Sequence, residues 1–451
     1  MQKYDFFLNC ANKSEKNKEK CARTCVCEKF CVLLWPIYCV RMANTLFGHK
    51  TRALFRGQRA TLDAEHRPIL EANRGAVWIH AASVGEFEQA RPLIERLRRE
   101  HPDRKIVVTF FSPSGYEARK NYPHADAVLY LPFATRRQAK RFLEGLQPSM
   151  AIFVKYEFWP AYLRELKKRG IPTYSISAIF RPTQRFFHWY GAGALKLLHC
   201  FTHIFVQDEA SRRLLAEHGV HECSVAGDTR FDRVNEVLAA TRERQDARLL
   251  PIAQFVEEAP QVIVAGSTWP EDEVLLKEYI EDCRLKIGGC GAKLILVPHE
   301  INEEHLHDIF QRFKGRFVKF SDISAMPSNL NRVNILRRAD VLVIDTIGLL
   351  STIYQFGQVA YIGGGFGEGI HNTIEAAAYG VPVVFGPNYH HFREAQGLID
   401  AGAGRSIKNY KELEAALTAA LSDYKTIGQK AAEYVQSELG ATEKIYNILF
   451  K

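Results

Sequence analysis

The stretch YIGGGFGEGIHNTIEAAAYGVPVVFGPNYHHFREA, residues 361–395, decides how this chain folds. An apolar strand is predicted at residues 359–362, and it runs directly into the consecutive glycines 363–365. A polar loop follows, and then a helix that opens at His371-Asn372 and carries Glu375 on its first turns. A second apolar strand is predicted at 381–385, before a Gly-Pro turn and another helix. This order is typical of a parallel α/β sheet.

The same stretch has the chemistry of a nucleotide-sugar donor site. Glycines let a ligand approach the backbone closely, and the start of a helix offers free N–H groups and a positive dipole end to phosphate. A carboxylate at Glu375 suits ribose hydroxyls, and such sites lie at the carboxyl edge of a parallel sheet. An ordinary strand–helix–strand unit with a flexible turn is the alternative. The H-N-x-x-E-A-A pattern at 371–377 favours the nucleotide site.

A second motif lies almost three hundred residues upstream. The sequence predicts a short apolar strand at 77–81 and an amphipathic helix at 87–100, separated by ASVGE at 82–86. Glu86 therefore lies at a strand-to-helix junction softened by glycine, where a side chain can project into a cleft. The alternative is that Glu86 is only a favourable acid in the first helical turn, facing the helix dipole.

The alternation of strands and helices predicts two α/β domains, consistent with a chain of 451 residues of which 47% are apolar. We expect a basic extension with a membrane-associating segment at 1–62, an N-terminal Rossmann-like domain at 63–240, a linker at 241–248 (TRERQDAR) and a C-terminal Rossmann-like domain at 249–451. The remaining strands are predicted at 105–110, 127–131, 151–154, 173–177, 203–206, 261–265, 293–297 and 341–344.

Basic charge is concentrated at the N-terminus. Residues 1–62 contain twelve Lys or Arg and four Asp or Glu, a net of +8 out of +9 for the whole chain. This asymmetry argues against a nucleic-acid partner. The apolar run at 30–40 contains Pro36 and is shorter than the roughly 20 residues of a spanning helix. We expect an in-plane anchor on anionic lipid, with Trp35, Tyr38 and Phe47 at the interface. A basic helix packed on the domain is the alternative.

No metal site is expected. Four cysteines at positions 21, 25, 27 and 31 form C-x3-C-x-C-x3-C, which matches none of the usual zinc or iron–sulfur spacings. Residues 1–30 are interpreted as an extension. A D-x-D donor motif is also absent from the sequence. The acids Asp272 and Glu273, which come after Trp269-Pro270, do not have that spacing.

Several segments in the same order resemble one family, the 3-deoxy-D-manno-octulosonic acid (Kdo) transferases of lipopolysaccharide synthesis. HAASVGE at 80–86 resembles that family's base-bearing motif, and YEFWP at 156–160 resembles its E-x-W-P segment. GDTRFD at 227–232 resembles G-x-x-K-F-D, and DTIG at 345–348 resembles D-T-x-G. The resemblance runs in register from about residue 37 to near the C-terminus, and such a series is more specific than any single motif.

The resemblance implies a GT-B fold, with two Rossmann-like domains, a cleft between them and an N-terminal membrane-associating segment. It implies inverting transfer of Kdo from CMP-Kdo to a lipid A precursor of the lipid IVA type. The acceptor would lie against the N-terminal domain, at the cytoplasmic face of the inner membrane. Neither a cofactor nor a metal is implied.

The resemblance also implies catalytic roles for three charged side chains. Glu86 corresponds to the base that deprotonates the acceptor hydroxyl, and Glu157 to a second carboxylate that supports the transition state. Pairing of Glu157 with Lys155 or a surface arginine is the alternative. Arg230 stands where many relatives carry lysine, and its planar fork suits phosphate or the Kdo carboxylate.

Two departures from the family pattern affect the donor site. Relatives often read P-R-H where this chain has Pro298-His299-Glu300, and often carry an acid where it has Leu349. Ser267 and Thr268 either assist the donor or cap the following helix. The implied CMP-Kdo contacts are Pro298, His299, Ile347, Gly348, Leu349, Asn372, Thr373, Ile374 and Glu375.

Two other function classes stay open from the sequence. One is another GT-B enzyme, either a hexosyltransferase that uses a UDP-sugar or a sugar-nucleotide epimerase. The Glu86 motif and the basic anchor argue against a soluble epimerase. The other is a membrane-docked nucleotide-binding module without activity. The combination of Glu86, Glu157 and Arg230 argues against it, because a binding module needs no projecting base.

Overall fold

The computed structural model describes residues 49–243, 246–286 and 291–451. The apolar run at 30–40, the cysteines at 21–31 and Cys290 lie outside the described residues. Within the described ranges, none of the helices combines the length and the apolar character needed to cross a bilayer.

The first sheet has seven parallel strands in the order β3-β2-β1-β4-β5-β6-β7. Successive strands are added on one side of β1 up to β3 and on its other side from β4 onward. The boundary between β1 and β4 is therefore the switch point, where α/β proteins place their sites. The strands are β1 (Val77–Ala81), β2 (Ile106–Phe110), β3 (Ala127–Tyr130), β4 (Met150–Val154), β5 (Thr173–Ala178), β6 (His203–Val206) and β7 (Cys223–Val225).

Helices cover both faces of this sheet, so the central strands are buried and mainly apolar. All five residues of β1 and of β2 are buried. Successive side chains enter different cores, with Val77 and Ile79 in one cluster and Trp78 in the other. The helices are α1 (His49–Ala60), α2 (Arg67–Ala72), α3 (Val84–Glu100), α4 (Pro113–Arg119), α5 (Arg136–Leu146), α6 (Pro160–Lys168), α7 (Ala192–Leu198) and α8 (Glu209–Glu217), with a 3₁₀ turn at Arg185–Phe187.

The second sheet also has seven parallel strands, in the order β10-β11-β9-β8-β12-β13-β14. Its switch point lies between β8 and β12. The strands are β8 (Gln261–Thr268), β9 (Ala292–Pro298), β10 (Phe317–Lys319), β11 (Val341–Val343), β12 (Val359–Ile362), β13 (Val383–Phe385) and β14 (Gly404–Ser406).

Helices also surround the second sheet, together with 3₁₀ turns at Ala247–Leu249 and Tyr354–Phe356. They are α9 (Thr229–Glu243), α10 (Leu250–Val256), α11 (Pro270–Lys286), α12 (Glu303–Arg312), α13 (Phe320–Ala325), α14 (Leu330–Arg338), α15 (Leu350–Ile353), α16 (Ile374–Ala378), α17 (Arg393–Asp400), α18 (Tyr410–Ser422) and α19 (Tyr424–Ser437).

The chain divides into two compact units at positions that differ from the predicted boundaries. The first unit contains the described residues up to Thr229 together with Gly440–Lys451, and the second unit is Arg230–Leu439. The predicted linker at 241–248 differs from this division because its first three residues continue helix α9. The last helix, α20 (Ala441–Phe450), returns to the first unit, where Ile445 and Tyr446 join the core under α3.

The predicted strands all occur, with small differences at their ends. The strands predicted at 77–81, 203–206 and 359–362 have the observed bounds, and the one predicted at 381–385 begins two residues later, at Val383. Three further strands, β7, β10 and β14, were not predicted. Each has only three residues, lies at the edge of its sheet and is incompletely buried, so none produces an apolar run in the sequence.

The glycines after β12 allow protein backbones to approach each other. A Cβ on Gly365 would lie 2.6 Å from Cα and 2.7 Å from N of Gly386, which follows β13. We predict that Gly365→Ala lowers the free energy of unfolding by about 1–3 kcal/mol, because the facing backbone cannot yield as a side chain does. Urea denaturation would measure this change.

Gly367 provides the matched control. A Cβ there would meet only the carbonyl oxygen of Gly364, at 3.7 Å, and the residue is exposed. Gly367→Ala is expected to change stability by less than about 0.5 kcal/mol. Equal stability of the Gly365→Ala and Gly367→Ala proteins would contradict the close-packing explanation.

Candidate active site

The first unit has a candidate site at the carboxyl edge of the first sheet, at its switch point. Strand β1 ends at Ala81 and leads to Glu86 on the first turn of α3. Strand β4 ends at Val154 and leads to Glu157, three residues before α6 begins. Because β1 and β4 are hydrogen-bonded neighbours, the two predicted catalytic carboxylates follow adjacent strands. The structure therefore brings them to one place, as a parallel sheet requires.

A capping box closes the junction between β1 and α3. Glu86 Oε2 accepts hydrogen bonds from the backbone N–H groups of Ala82, at 2.7 Å, and Ser83, at 3.1 Å. Ser83 is the N-cap residue, and its side chain accepts in return from the backbone N–H of Glu86. The first-turn role that the sequence offered as an alternative for Glu86 is thus present. It occupies one carboxylate oxygen, and the capping box gives no partner to the other.

The environment of Glu86 makes it a stronger base than an ordinary glutamate. Burial raises the pKa of its carboxyl, and the negative charge of Glu157 raises that pKa further. The charge of Lys155, the Ala82 hydrogen bond and His80 act in the opposite direction without cancelling the rise. A raised pKa is what a general base operating near neutral pH requires.

Glu157 is held by a buried histidine and a tryptophan. Trp159 Nε1 donates to Glu157 Oε2 at 2.6 Å, and His80 Nε2 lies 3.2 Å from the same oxygen. The other ring nitrogen, His80 Nδ1, lies 3.0 Å from the carbonyl oxygen and 2.9 Å from Oγ1 of Thr109 on β2. These contacts orient the Glu157 carboxylate.

The role of His80 in holding Glu157 was not predicted from the sequence. The residue is fully buried inside β1, and its partners lie on β2 and in the segment after β4. A polar residue in an otherwise apolar strand, VWIHA, is the signal in the sequence, since buried polar groups are normally hydrogen-bonded.

The second unit has a candidate site of its own, at the carboxyl edge of the second sheet. There Asp272, on the first turn of α11, joins the end of β8 to the glycine loop after β12. Its Oδ2 accepts from the backbone N–H groups of Trp269, at 3.0 Å, and Gly364, at 2.9 Å. Its Oδ1 accepts from Tyr361 Oη at 2.7 Å. Burial raises the pKa of this carboxyl. Asp272 was not predicted as a site residue, and its contacts assign it to the framework of the loop.

Three stacked rings lie at this edge. The His299 ring is 4.8 Å from that of Trp269 and 4.2 Å from that of His371, with interplanar angles of 24° and 22°. Trp269 Nε1 donates to His371 Nε2 at 3.1 Å. Burial and the neighbouring His299 lower the pKa of His371 to about 4, and burial lowers the pKa of His299. Both imidazoles are therefore mainly neutral at pH 7, and His299 does not supply the positive charge of the arginine found in relatives.

The predicted donor residues after β12 divide into polar and buried members. Asn372 Nδ2 donates to Glu375 Oε1 at 2.9 Å, and Asn372 Oδ1 accepts from the backbone N–H of Ile374 at 3.0 Å. Thr373 and Ile374 are fully buried, and the Ile374 side chain belongs to the core. The helix that carries Glu375 has only five residues and begins at Ile374, later than predicted.

The other residues predicted to contact the donor lie at or after the ends of strands β9 and β11. Pro298 is buried at the end of β9, whereas His299 is exposed. Ile347 is 89% exposed, and Gly348 is exposed with φ +89°, which favours glycine. Leu349 packs its side chain into the core. Only the backbone of Leu349 is therefore suited to the predicted contact.

Arg230 is part of an ion pair. Its Nη1 donates to Glu394 Oε1 at 2.8 Å, and the Glu394 side chain is only 4% exposed. Glu394, on α17, was not identified from the sequence, which contains no pattern linking residues 164 positions apart. The ion pair fixes the guanidinium in one geometry. Arg230 is the first residue of the second unit.

Ser267 and Thr268 belong to the framework of α11. Thr268 is fully buried, and its hydroxyl donates to Glu273 Oε1 at 3.1 Å. Ser267 has φ +54° at the end of β8, a conformation that is uncommon for residues other than glycine. Among the residues that the structure describes, no three His, Cys, Asp or Glu side chains are grouped so as to hold a metal ion.

Comparison with solved structures identifies the fold class. The chain superposes on UDP-GlcNAc 2-epimerase from Neisseria meningitidis with a TM-score of 0.58 and 16% identity, covering 83% of this chain and 99% of that one. A putative UDP-N-acetylglucosamine 2-epimerase from Listeria monocytogenes gives a TM-score of 0.57 at 14% identity, over 82% and 95% of the two chains. Together with the two parallel sheets, this likeness confirms the predicted GT-B fold.

Sequence comparison tests the predicted resemblance. Residues 54–233 match the family described as 3-deoxy-D-manno-octulosonic-acid transferase. Enzymes of that name are similar over most of the chain: 29% identity for Aquifex aeolicus (78% of this chain, 88% of the relative) and 27% for Haemophilus influenzae (83% and 86%). The predicted resemblance to the Kdo transferases is confirmed.

The raised pKa of Glu86 predicts a pH dependence. Only the deprotonated carboxylate accepts a proton, so kcat/KM for transfer is expected to fall as the pH is lowered through that pKa. Because the pKa is raised, the fall begins at a higher pH than for an unperturbed glutamate. Glu157→Gln removes one cause of the rise, so the acid limb of its pH profile is expected to move to lower pH.

Glu88→Gln, two residues further along α3, makes the same charge change and serves as the control; it is expected to leave the acid limb in place. An acid limb at the same pH in the wild type and the Glu157→Gln protein would contradict the coupling of the two carboxylates.

Proposed function

We propose that the protein transfers Kdo from CMP-Kdo to a lipid A precursor with inversion at the anomeric carbon. The observation that carries the proposal is the pair Glu86 and Glu157 at the switch point of the first sheet, in a chain that resembles Kdo transferases. A buried carboxylate with a raised pKa suits proton abstraction from a sugar hydroxyl, which is too weak an acid to attack efficiently unaided.

The proposed reaction is a direct displacement. The acceptor hydroxyl oxygen forms a bond to the anomeric carbon of Kdo as the bond from that carbon to the CMP phosphate oxygen breaks. The hydroxyl proton moves to Glu86, and CMP leaves with the electron pair. One base and one displacement give inversion. Glu157, fixed by His80 and Trp159, adds negative charge beside Glu86 and so strengthens the base.

We assign donor binding to the second unit. Glu375, aligned by Asn372, has the geometry to accept hydrogen bonds from ribose hydroxyls. His299 presents an exposed ring that is already stacked on two others, which suits contact with a planar base or a phosphate. Arg230, held by Glu394, supplies a fixed positive charge for phosphate or the Kdo carboxylate.

We also propose that the protein works at an anionic membrane surface, on the cytoplasmic face of the inner membrane where the donor is available. Helix α1 supports this proposal. Arg52, Arg56 and Arg59 are exposed and, at spacings of four and three residues, share one face of the helix. Phe55 stacks on Phe133 of the first unit, with ring centroids 5.5 Å apart. The described part of the basic region is thus a helix packed on the domain, which is the alternative that the sequence offered to an in-plane anchor. Its exposed basic face supports the proposal through charge alone.

The direct test is an assay of purified protein with CMP-Kdo and a tetraacylated glucosamine disaccharide bisphosphate, followed by mass spectrometry. We expect a product heavier by one or more Kdo residues, formed equally well in the presence of a chelator. UDP-sugars run beside it test the alternative donor class. Transfer from a UDP-sugar and none from CMP-Kdo would overturn the proposal.

Variants of Glu86 separate its two roles. Glutamine keeps an oxygen that accepts the Ala82 and Ser83 hydrogen bonds but is not a base, so Glu86→Gln is expected to fold normally and to lose roughly 100- to 10,000-fold in kcat. Glu86→Ala loses the cap as well, and its free energy of unfolding is expected to fall by about 1 kcal/mol. Near-normal turnover of a folded Glu86→Gln protein would remove Glu86 from the role of base.

The donor assignment predicts a selective loss of nucleotide binding. Glu375→Ala is expected to weaken CMP binding at least about tenfold, since a hydrogen bond to a charged group contributes about 1.5–3 kcal/mol. Isothermal titration calorimetry with CMP measures the change. Glu368→Ala, an exposed acid in the same loop, is the control and is expected to bind CMP like the wild type. Equal CMP affinities of the Glu375→Ala and Glu368→Ala proteins would contradict the assignment of Glu375 to the donor site.

A further inference from the structure

The loop that follows β5 in the first unit exposes two adjacent aromatic side chains. Trp189 is 92% exposed and Tyr190 is 61% exposed. In the part of the chain that the structure describes, the other exposed large apolar residues occur singly. Scattered single residues are normal on a protein surface, whereas an adjacent Trp-Tyr pair is not. We name residues 179–191 the aromatic loop.

The aromatic loop has a defined conformation of its own. The N–H of Gly191 donates to the carbonyl oxygen of His188 at 2.8 Å, and the rings of His188 and Tyr190 stack with an interplanar angle of 8°. Near the start of the loop, the buried Gln184 accepts through Oε1 from the N–H of Arg181 at 3.2 Å. The two exposed rings are therefore presented by an ordered scaffold.

A cluster of phenylalanines connects this loop to the Glu157 segment. Phe158, next to Glu157, packs its ring 5.2 Å from that of Phe186 and 5.8 Å from that of Phe180. Arg181 Nη1 also donates to Tyr156 Oη at 3.1 Å. The loop and the Glu157 segment follow the carboxyl ends of the neighbouring strands β5 and β4. The exposed rings thus lie at the same sheet edge as the proposed acceptor-side chemistry.

The stretch of sequence that contains the loop carries only basic charges. Residues 166–207 contain six Lys or Arg and no Asp or Glu. The chain has 51 acidic residues among 451, so a stretch of this length would on average contain about five. Arg185 and Lys196, beside the two rings, are exposed. Trp and Tyr favour the boundary between headgroups and acyl chains, and basic residues favour anionic headgroups.

We propose that the aromatic loop inserts Trp189 and Tyr190 into the interface of an anionic membrane, as a contact separate from the N-terminal segment. A second copy of the chain is a poorer occupant, because two aromatic side chains bury at most about 500 Å² whereas a stable dimer covers about 800 Å² per partner. The inference rests on the proposed function only in that the acceptor is a membrane lipid.

Fluorescence quenching by brominated lipid tests the insertion directly. The full chain has five tryptophans, and the difference in quenching between the wild type and Trp189→Phe isolates Trp189 from the others, including Trp35. With vesicles of brominated phosphatidylglycerol, the wild type is expected to be quenched more strongly than Trp189→Phe. Equal fractional quenching in the two proteins would overturn the proposal.

Vesicle flotation measures the contribution to binding. Trp189→Ser with Tyr190→Ser is expected to weaken binding to phosphatidylglycerol vesicles about tenfold, which corresponds to removing about 60 Å² of buried apolar surface. Leu330→Ser, at an 82% exposed position in the second unit, is the matched control and is expected to bind as the wild type does. Arg185→Ala is expected to cost about fivefold at low salt and less at high salt.

Four outcomes distinguish this inference from the proposed function. Unchanged vesicle affinity of the double variant would overturn the inference. If the double variant loses self-association but keeps its vesicle binding, the inference is also overturned, because the surface would then belong to a contact with a second copy. Reduced vesicle affinity with unchanged transfer to a short-chain, water-soluble acceptor supports it. If the wild type shows no Kdo transfer at all, the proposed function fails, while the vesicle and quenching results still decide the inference.

Discussion

The two hydrogen bonds that Glu86 Oε2 accepts from the N–H groups of Ala82 and Ser83 fix the geometry on which the proposed chemistry depends. They turn the chain from the end of β1 into α3 and hold the carboxylate beside the sheet edge. The same group is buried and close to Glu157, so its charge is destabilised while its position is fixed. A base held in this way needs little reorganisation before it accepts a proton.

Both units use the carboxyl edge of a parallel sheet, but they stabilise it differently. The first unit uses polar side chains that join neighbouring strands, with His80 in contact with Thr109 on β2 and Glu157 after β4. The second unit uses close backbone contact between Gly365 and Gly386, and one buried acid, Asp272, that accepts three hydrogen bonds. The glycines that suggested close approach of a ligand thus also serve close approach of strands.

The sequence was sufficient for the features that leave a local pattern. Central strands are apolar runs because both faces are covered, and Glu86 stands in a motif whose local order alone indicates a strand-to-helix junction. The edge strands β7, β10 and β14 leave no such pattern. Contacts between distant positions were also invisible: the pairing of Arg230 with Glu394 and the return of α20 to the first unit are set by packing. The sequence gives no local sign of either.

The proposed mechanism depends most on Glu86, a buried carboxyl whose pKa is raised by its surroundings and by Glu157. Carbon-13 NMR of protein labelled at glutamate side-chain carboxyls, compared with Glu86→Gln to assign the signal, measures this titration directly. In the wild type, the titration midpoint of Glu86 is expected above that of an unperturbed glutamate. In the Glu157→Gln protein, the midpoint of Glu86 is expected to be lower than in the wild type. A Glu86 signal that titrates at or below the ordinary value, unaffected by Glu157→Gln, would contradict the proposed mechanism.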